Sequence, residues 1–145
     1  MEAQLLTESK YVRLMQAAKD VRTSAYAPYS HFPVGAAILF SDGEIVTGCN
    51  VENASFGLTV CAERSAMCAA VAASKKHPLA VAIAGEEGKL CPPCGACRQF
   101  LYEFNPQMTV VLEDAAGLIG YQLSELLPAG FSADELGEEK NKCKN

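Results

Sequence analysis

Two cysteine-bearing segments govern what this 145-residue chain can fold into. Cys61-Ala62-Glu63-Arg64 opens an alanine-rich stretch, and Pro92-Pro93-Cys94-Gly95-Ala96-Cys97 opens a second stretch of helical character. Pro93 stands where a helix tolerates proline, in its first turn, so Cys94 and Cys97 fall in the N-terminal turns. Three-residue spacing puts both sulfurs on one helix face, with Cβ atoms about 5–6 Å apart, a separation that two thiolates on one tetrahedral zinc can meet. A helix N-terminus also favours negative charge, which lowers thiol pKa and helps hold the thiolate a metal needs. Cys61, at the head of the other helix, would supply a third thiolate from a similar position.

Three thiolates on Zn²⁺ leave a net negative site, and Arg64, one turn along, is placed to hydrogen-bond a sulfur and offset part of that charge. Three ligands rather than four leave one position for water, which separates a catalytic zinc from a structural one. Glu63 then has a use, because a carboxylate beside a metal-activated water can take its proton and return it elsewhere. Residues two apart in a regular helix point roughly 200° away from each other. Cys61 must therefore sit at the cap, with Glu63 already in the first turn. The competing reading is a closed structural site in which Cys91 is a fourth thiolate. Against it, Cys91 precedes two prolines in an extended segment, off the face shared by Cys94 and Cys97. An iron–sulfur cluster would want a further cysteine shortly after, and position 101 is leucine.

The rest of the chain sets the context for these thiols. Seven cysteines is an odd number, and the N-terminus shows no basic region followed by an apolar run, so a cytoplasmic protein with reduced thiols is expected. The apolar windows are too short to span a bilayer. A net charge of −5 argues against a protein built to grip nucleic-acid phosphates. Residues 8–25 carry apolar positions at three- and four-residue spacing and predict an amphipathic helix. Val34–Phe40 and Ile45–Val51, separated by a turn containing Asp42-Gly43, predict a β-hairpin. Helices are expected at Cys61–Ser74, Cys94–Phe104 and Ser124–Leu127, and strands at Leu79–Ala84, Met108–Leu112 and Leu118–Tyr121. The helix from Cys61 is apolar all round, which implies burial on several sides, in a core or against another subunit. Cys49 and Cys68 read as small core residues. The pattern predicts one domain over 1–145, a three-layer α/β/α sandwich with a mixed five-stranded sheet. A charged tail, expected to be mobile, follows about residue 137 and holds Cys143.

Cys61–Arg64 together with Pro93-Cys94-Gly95-Ala96-Cys97-Arg98-Gln99 resembles the zinc-dependent cytidine deaminase family of the small homotetrameric type. The likeness continues through Ala25–Ala37, Gly48–Ala54 and Glu125-Leu126-Leu127-Pro128 with Phe131, about residues 10–136 in order, which is far more specific than a lone motif. The resemblance implies zinc-dependent deamination of cytidine and deoxycytidine to uridine and deoxyuridine in pyrimidine salvage. It implies one zinc per subunit on Cys61, Cys94 and Cys97, with Glu63 carrying protons to the ring nitrogen and the leaving amino group. By the same resemblance, Asn50 and Glu52 would bind the sugar 3′-hydroxyl and Phe32 would pack on the base. The Ala62 backbone N–H would meet the pyrimidine carbonyl, and Phe56 and Phe131 would reach in from neighbouring subunits of a homotetramer.

Glu52 carries a physical argument of its own, because a carboxylate beside the 3′-hydroxyl would repel a phosphate there; free nucleosides are expected, not polynucleotides. Without the resemblance, Asn50 and Glu52 read as a polar turn after the hairpin. Phe56 stands where the family often has tyrosine, and Cys91 is an extra thiol. Two alternatives accompany the deaminase reading: a deaminase of another aminated pyrimidine nucleoside or drug, and a structural zinc module.

Overall fold

Strand residues alternate between two apolar cores, and this alternation sets the layering. In β2 (Gly35–Phe40), Ala36, Ile38 and Phe40 enter one core while Ala37 and Leu39 face the other. In β4 (Pro78–Ala84), Val81 and Ile83 join the first core, and Ala80, Ala82 and Ala84 join the second. The period of two is that of a strand buried on both faces. The computed structural model, which describes residues 3–142, adds β1 (Gln4–Leu6), β3 (Ile45–Cys49), β5 (Thr109–Asp114) and β6 (Gly117–Gln122) in the order β1-β6-β5-β4-β2-β3. Neighbours are antiparallel except β4 and β5, which are parallel. A parallel pair needs a long crossover, and here that crossover carries α3 (Gly95–Tyr102). α1 (Ser9–Arg22) covers one face of the sheet, and α2 (Ala62–Ala72) covers the other with α3. A short α4 (Leu123–Leu126) follows β6. The α/β/α expectation is met.

The strand count is corrected from five to six. β1 pairs antiparallel with β6, Leu5 opposite Ile119. With three residues it is too short for alternation to register in the sequence. The hairpin expectation holds, and Gly43 sits at φ +85 in its turn. A second correction concerns Cys68, which is exposed rather than buried. Alanine is the strongest helix former, so the run of alanines in α2 reports helix propensity as well as burial. Cys49 is partly buried. The segment Ala133–Lys142 forms 3-10 turns broken at Gly137 (φ +76), and Cys143 lies outside the described residues. Among the described residues no helix is long and apolar enough to cross a membrane.

The two helix layers approach the sheet by size complementarity. On the α1 side the sheet offers Ala37, Ala80, Ala82 and Ala84 to the larger Leu14 and Met15. On the α2 side the sizes reverse, with Ala62, Ala66 and Ala70 on the helix meeting Ile38, Val81 and Ile83. Gly48 of β3 takes this to its limit. A Cβ there would lie 2.3 Å from the Ala66 nitrogen and 2.9 Å from the Ala62 carbonyl oxygen. The backbone of α2, and with it the start of that helix, is held against β3 by the lack of a side chain. Gly48→Ala is therefore expected to lower stability by about 1–3 kcal/mol, the usual cost of overpacking. Gly57→Ala, where a Cβ would meet nothing within 4 Å, is expected to leave it nearly unchanged. Urea unfolding of both variants measures the difference.

Candidate metal centre and its surroundings

Cys61 is the N-cap of α2 and Cys94 the N-cap of α3, both in extended conformation. This is the arrangement that lets Cys61 and Glu63 serve one centre, since Cys61 lies outside the helical rotation. The sulfurs of Cys61 and Cys94 are 3.9 Å apart, and those of Cys94 and Cys97 are 3.5 Å apart. All three lie within 4.8 Å of one another. With zinc–sulfur bonds of about 2.3 Å, tetrahedral geometry asks for sulfurs about 3.8 Å apart. Cys91 is not in the group; its side chain packs against the core beside Gly85, so the closed four-sulfur site is not formed.

The electrostatics separate the thiols. Cys94 titrates below the ordinary range for a thiol. Burial would raise it, but hydrogen bonds from the Cys97 backbone N–H and from the neighbouring thiols outweigh that. Burial raises Cys97, and the nearby Glu63 charge adds to it. Burial likewise pushes Cys91 up to about 11, with a further contribution from Glu63. Glu63 is 4 % exposed. Burial raises its carboxyl above the usual range, against opposing hydrogen bonds from its own backbone and Cys97 and the charge of Arg64. Arg64 donates from Nη2 to the Cys61 sulfur at 3.7 Å and to the Thr59 carbonyl at 3.3 Å. Its Nε is buried with no hydrogen-bond partner. A partly buried guanidinium beside these thiols suits sulfurs that carry negative charge.

A family model described as the cytidine and deoxycytidylate deaminase zinc-binding region matches residues 8–113, a span that contains this centre. The chain belongs to this deaminase family. A cytidine deaminase from Halalkalibacterium halodurans is 43% identical over 127 residues, covering 86% of this chain and 96% of that protein. A probable cytidine deaminase from Dictyostelium discoideum is 37% identical over 144 residues, covering 96% and 98%. The crystal structure of a cytidine deaminase from Burkholderia pseudomallei superposes with a TM-score of 0.79 at 44% identity. It covers 87% of this chain and all of that one. As in the family model, the centre is a zinc site, and the three converging thiols fit one zinc ion per subunit.

The other residues singled out in this deaminase fall into two groups. Asn50, buried at the end of the hairpin, accepts the Val34 N–H at Oδ1 and donates from Nδ2 to the Phe32 carbonyl. Glu52 accepts hydrogen bonds from the Tyr29 and Ser30 N–H groups at 3.0 and 3.1 Å and from the Ser30 hydroxyl. The Ser30 hydroxyl and the two N–H groups hold its carboxyl below the usual range. Both residues thus support the loop that carries Phe32, as the polar-turn reading expects. Phe56 and Phe131 form the second group, 74% and 55% exposed. Phe56 meets the Tyr29 ring edge-on at 5.8 Å.

Two residues of the cysteine motif gain roles that the sequence did not supply. Gln99 grips the Phe131 backbone with both ends of its amide, donating to its carbonyl and accepting its N–H. Arg98 donates to the Pro93 and Leu126 carbonyls, tying the start of α3 to α4. Their partners in the C-terminal segment lie about thirty residues away, beyond local pattern. Metal analysis is expected to find one zinc per subunit in the native chain and in Cys91→Ser. Cys97→Ala is expected to lose most of it.

Proposed function

We infer that the chain is a hydrolytic cytidine deaminase, converting cytidine and water to uridine and ammonia. The observation that carries this reading is a three-thiol centre, rather than a four-thiol one, with the buried carboxyl of Glu63 beside it. Cys61, Cys94 and Cys97 would hold the zinc. When bound, that ion supplies the Lewis acidity that makes water a nucleophile near neutral pH.

The remaining work falls to the chain. As a carboxylate, Glu63 takes the proton that the attacking water sheds and sets it on the ring nitrogen beside C4. With the water oxygen now bonded to C4, Glu63 conveys that oxygen's remaining proton to the amino group, so that the C4–N bond breaks, the C4 carbonyl forms and ammonia leaves. Burial strengthens the carboxylate as a base, which suits that alternation. Arg64 restrains Cys61 and offsets thiolate charge. Ala62 is the first residue of α2, where a backbone N–H has no partner within the helix, and would donate to the pyrimidine carbonyl. Phe32 would pack on the base, and Asn50 and Glu52 would take the 3′-hydroxyl. A carboxylate at that place disfavours a 3′-phosphate, so the substrates are free nucleosides, deoxycytidine among them, and the setting is pyrimidine salvage.

The same reading makes residues 1–145 one deaminase domain acting as a homotetramer. Its support is the apolar surface left exposed on the single chain: Phe56, Leu58, Phe131, and Val71 on the outer face of α2 beside Cys68. An α2 apolar all round fits a helix covered on that face by another copy. Phe56 and Phe131 would then complete neighbouring sites. The cysteines among the described residues other than the three ligands are free thiols, which suits a reducing cytoplasm.

Purified zinc-loaded protein is expected to convert cytidine to uridine, followed by absorbance, and to run as four subunits by light scattering. Failure to turn over cytidine would sink the reading. Glu63→Gln is expected to keep its zinc while kcat falls about a hundred- to ten-thousand-fold. Survival of activity would show that another group moves the proton.

A further inference from the structure

The loop between α1 and β2 holds Phe32 by both of its backbone polar groups, and each is held by a side chain. Its carbonyl accepts from Asn50 Nδ2 at 2.9 Å. Its N–H donates to the Ser30 hydroxyl oxygen at 3.0 Å. That hydroxyl in turn donates its own proton to Glu52 Oε2. Oε1 of the same carboxylate takes the Tyr29 and Ser30 N–H groups. A continuous hydrogen-bonded chain therefore runs from the Glu52 carboxylate through Ser30 to the backbone of Phe32. Between them, His31 is in the left-handed region at φ +56, a conformation a non-glycine residue keeps where its surroundings fix it. The Phe32 ring, 42% exposed, reaches within contact of Gly85 at the end of β4.

We propose that Ser30 is a positioning residue that couples the sugar-binding carboxylate of Glu52 to the base-packing ring of Phe32. The proposal rests on the substrate reading above and deepens it. A hydroxyl that donates to a carboxylate is polarised into a better acceptor. The Phe32 N–H is therefore held more firmly than by a free serine. The sugar and base halves of a nucleoside are then met by one unit. Serine suits the position because it must donate and accept at once, and its hydroxyl does both. Alanine in its place leaves Glu52 with two N–H donors and frees the Phe32 N–H.

The test compares Ser30→Ala and Ser30→Thr with the native zinc-loaded enzyme. Losing a hydrogen bond to a charged group in Ser30→Ala is expected to raise KM for cytidine about tenfold, with kcat held within about twofold, the signature of lost binding rather than lost chemistry. Ser30→Thr keeps the hydroxyl and is expected to recover most of the loss. With 3′-deoxycytidine, which offers Glu52 no 3′-hydroxyl, Ser30→Ala is expected still to raise KM but by a smaller factor, because the share that reaches the base through Phe32 remains and the share felt through Glu52 is gone. Hydrogen exchange at the Phe32 amide, measured without substrate, is expected to quicken about tenfold in Ser30→Ala at an unchanged melting temperature. An unchanged KM for cytidine, a 3′-deoxycytidine KM that does not move, or an unchanged Phe32 exchange rate overturns the proposal. Absence of cytidine turnover in the native enzyme would instead overturn the substrate reading, and the Phe32 exchange rate would still decide the Ser30 link.

Discussion

Everything chemical in this molecule depends on two helices starting at the same place. α2 and α3 arise from different connections, one after the hairpin and one inside the β4–β5 crossover, yet their caps bring sulfurs within 3.9 Å. That closeness is a packing result. Gly48 admits the α2 backbone against β3, the alanines of α2 let it settle on the larger strand residues, and α3 lies beside it over the same core. With a bulkier strand residue at 48 the helix would ride higher and its first residue would move away from Cys94.

Once the helix starts converge, charge decides what each group does. Three thiols, a carboxyl and a guanidinium share one partly buried volume. Cys94 is eased toward the thiolate by the N–H groups and thiols around it, while burial holds Glu63 toward its neutral form. Arg64 supplies positive charge at hydrogen-bond range of Cys61. Cys91, three residues before Cys94, lies outside the helix start that holds Cys94 and Cys97 and outside their thiol group. It turns into the core beside Gly85 and stays a neutral thiol.

The local elements and the thiol motif could be read from the sequence because each is a short-range pattern. Spacing brought Cys94 and Cys97 to the start of one helix, although Cys94 is its cap and Pro93 precedes it rather than opening its first turn. The geometry of α2 demanded Cys61 at its cap, where it is found. What escaped was of two kinds. β1 is too short to show a period, and the alanines of α2 serve helix formation and burial alike, which hid the exposure of Cys68. The Glu52–Ser30–Phe32 chain, the Gln99 grip on Phe131 and the Arg98 tie to Leu126 join residues about 20 to 30 positions apart. No local periodicity encodes such pairs; they become visible when the sheet has set the spacing.

The caps themselves have a thermodynamic meaning. Helices usually begin with a side-chain oxygen that accepts a backbone N–H, worth about 1 kcal/mol. At both starts here the cap is a cysteine, whose sulfur is a weaker acceptor than oxygen. Both helices therefore forgo part of a common source of local stability at the two points where sulfur is required. Zinc, by favouring the folded arrangement of its ligands, stabilises that state in proportion to the logarithm of its free concentration. Resistance to unfolding in this protein is thus a function of metal supply, so that a cell short of zinc would hold a more fragile enzyme as well as a less active one.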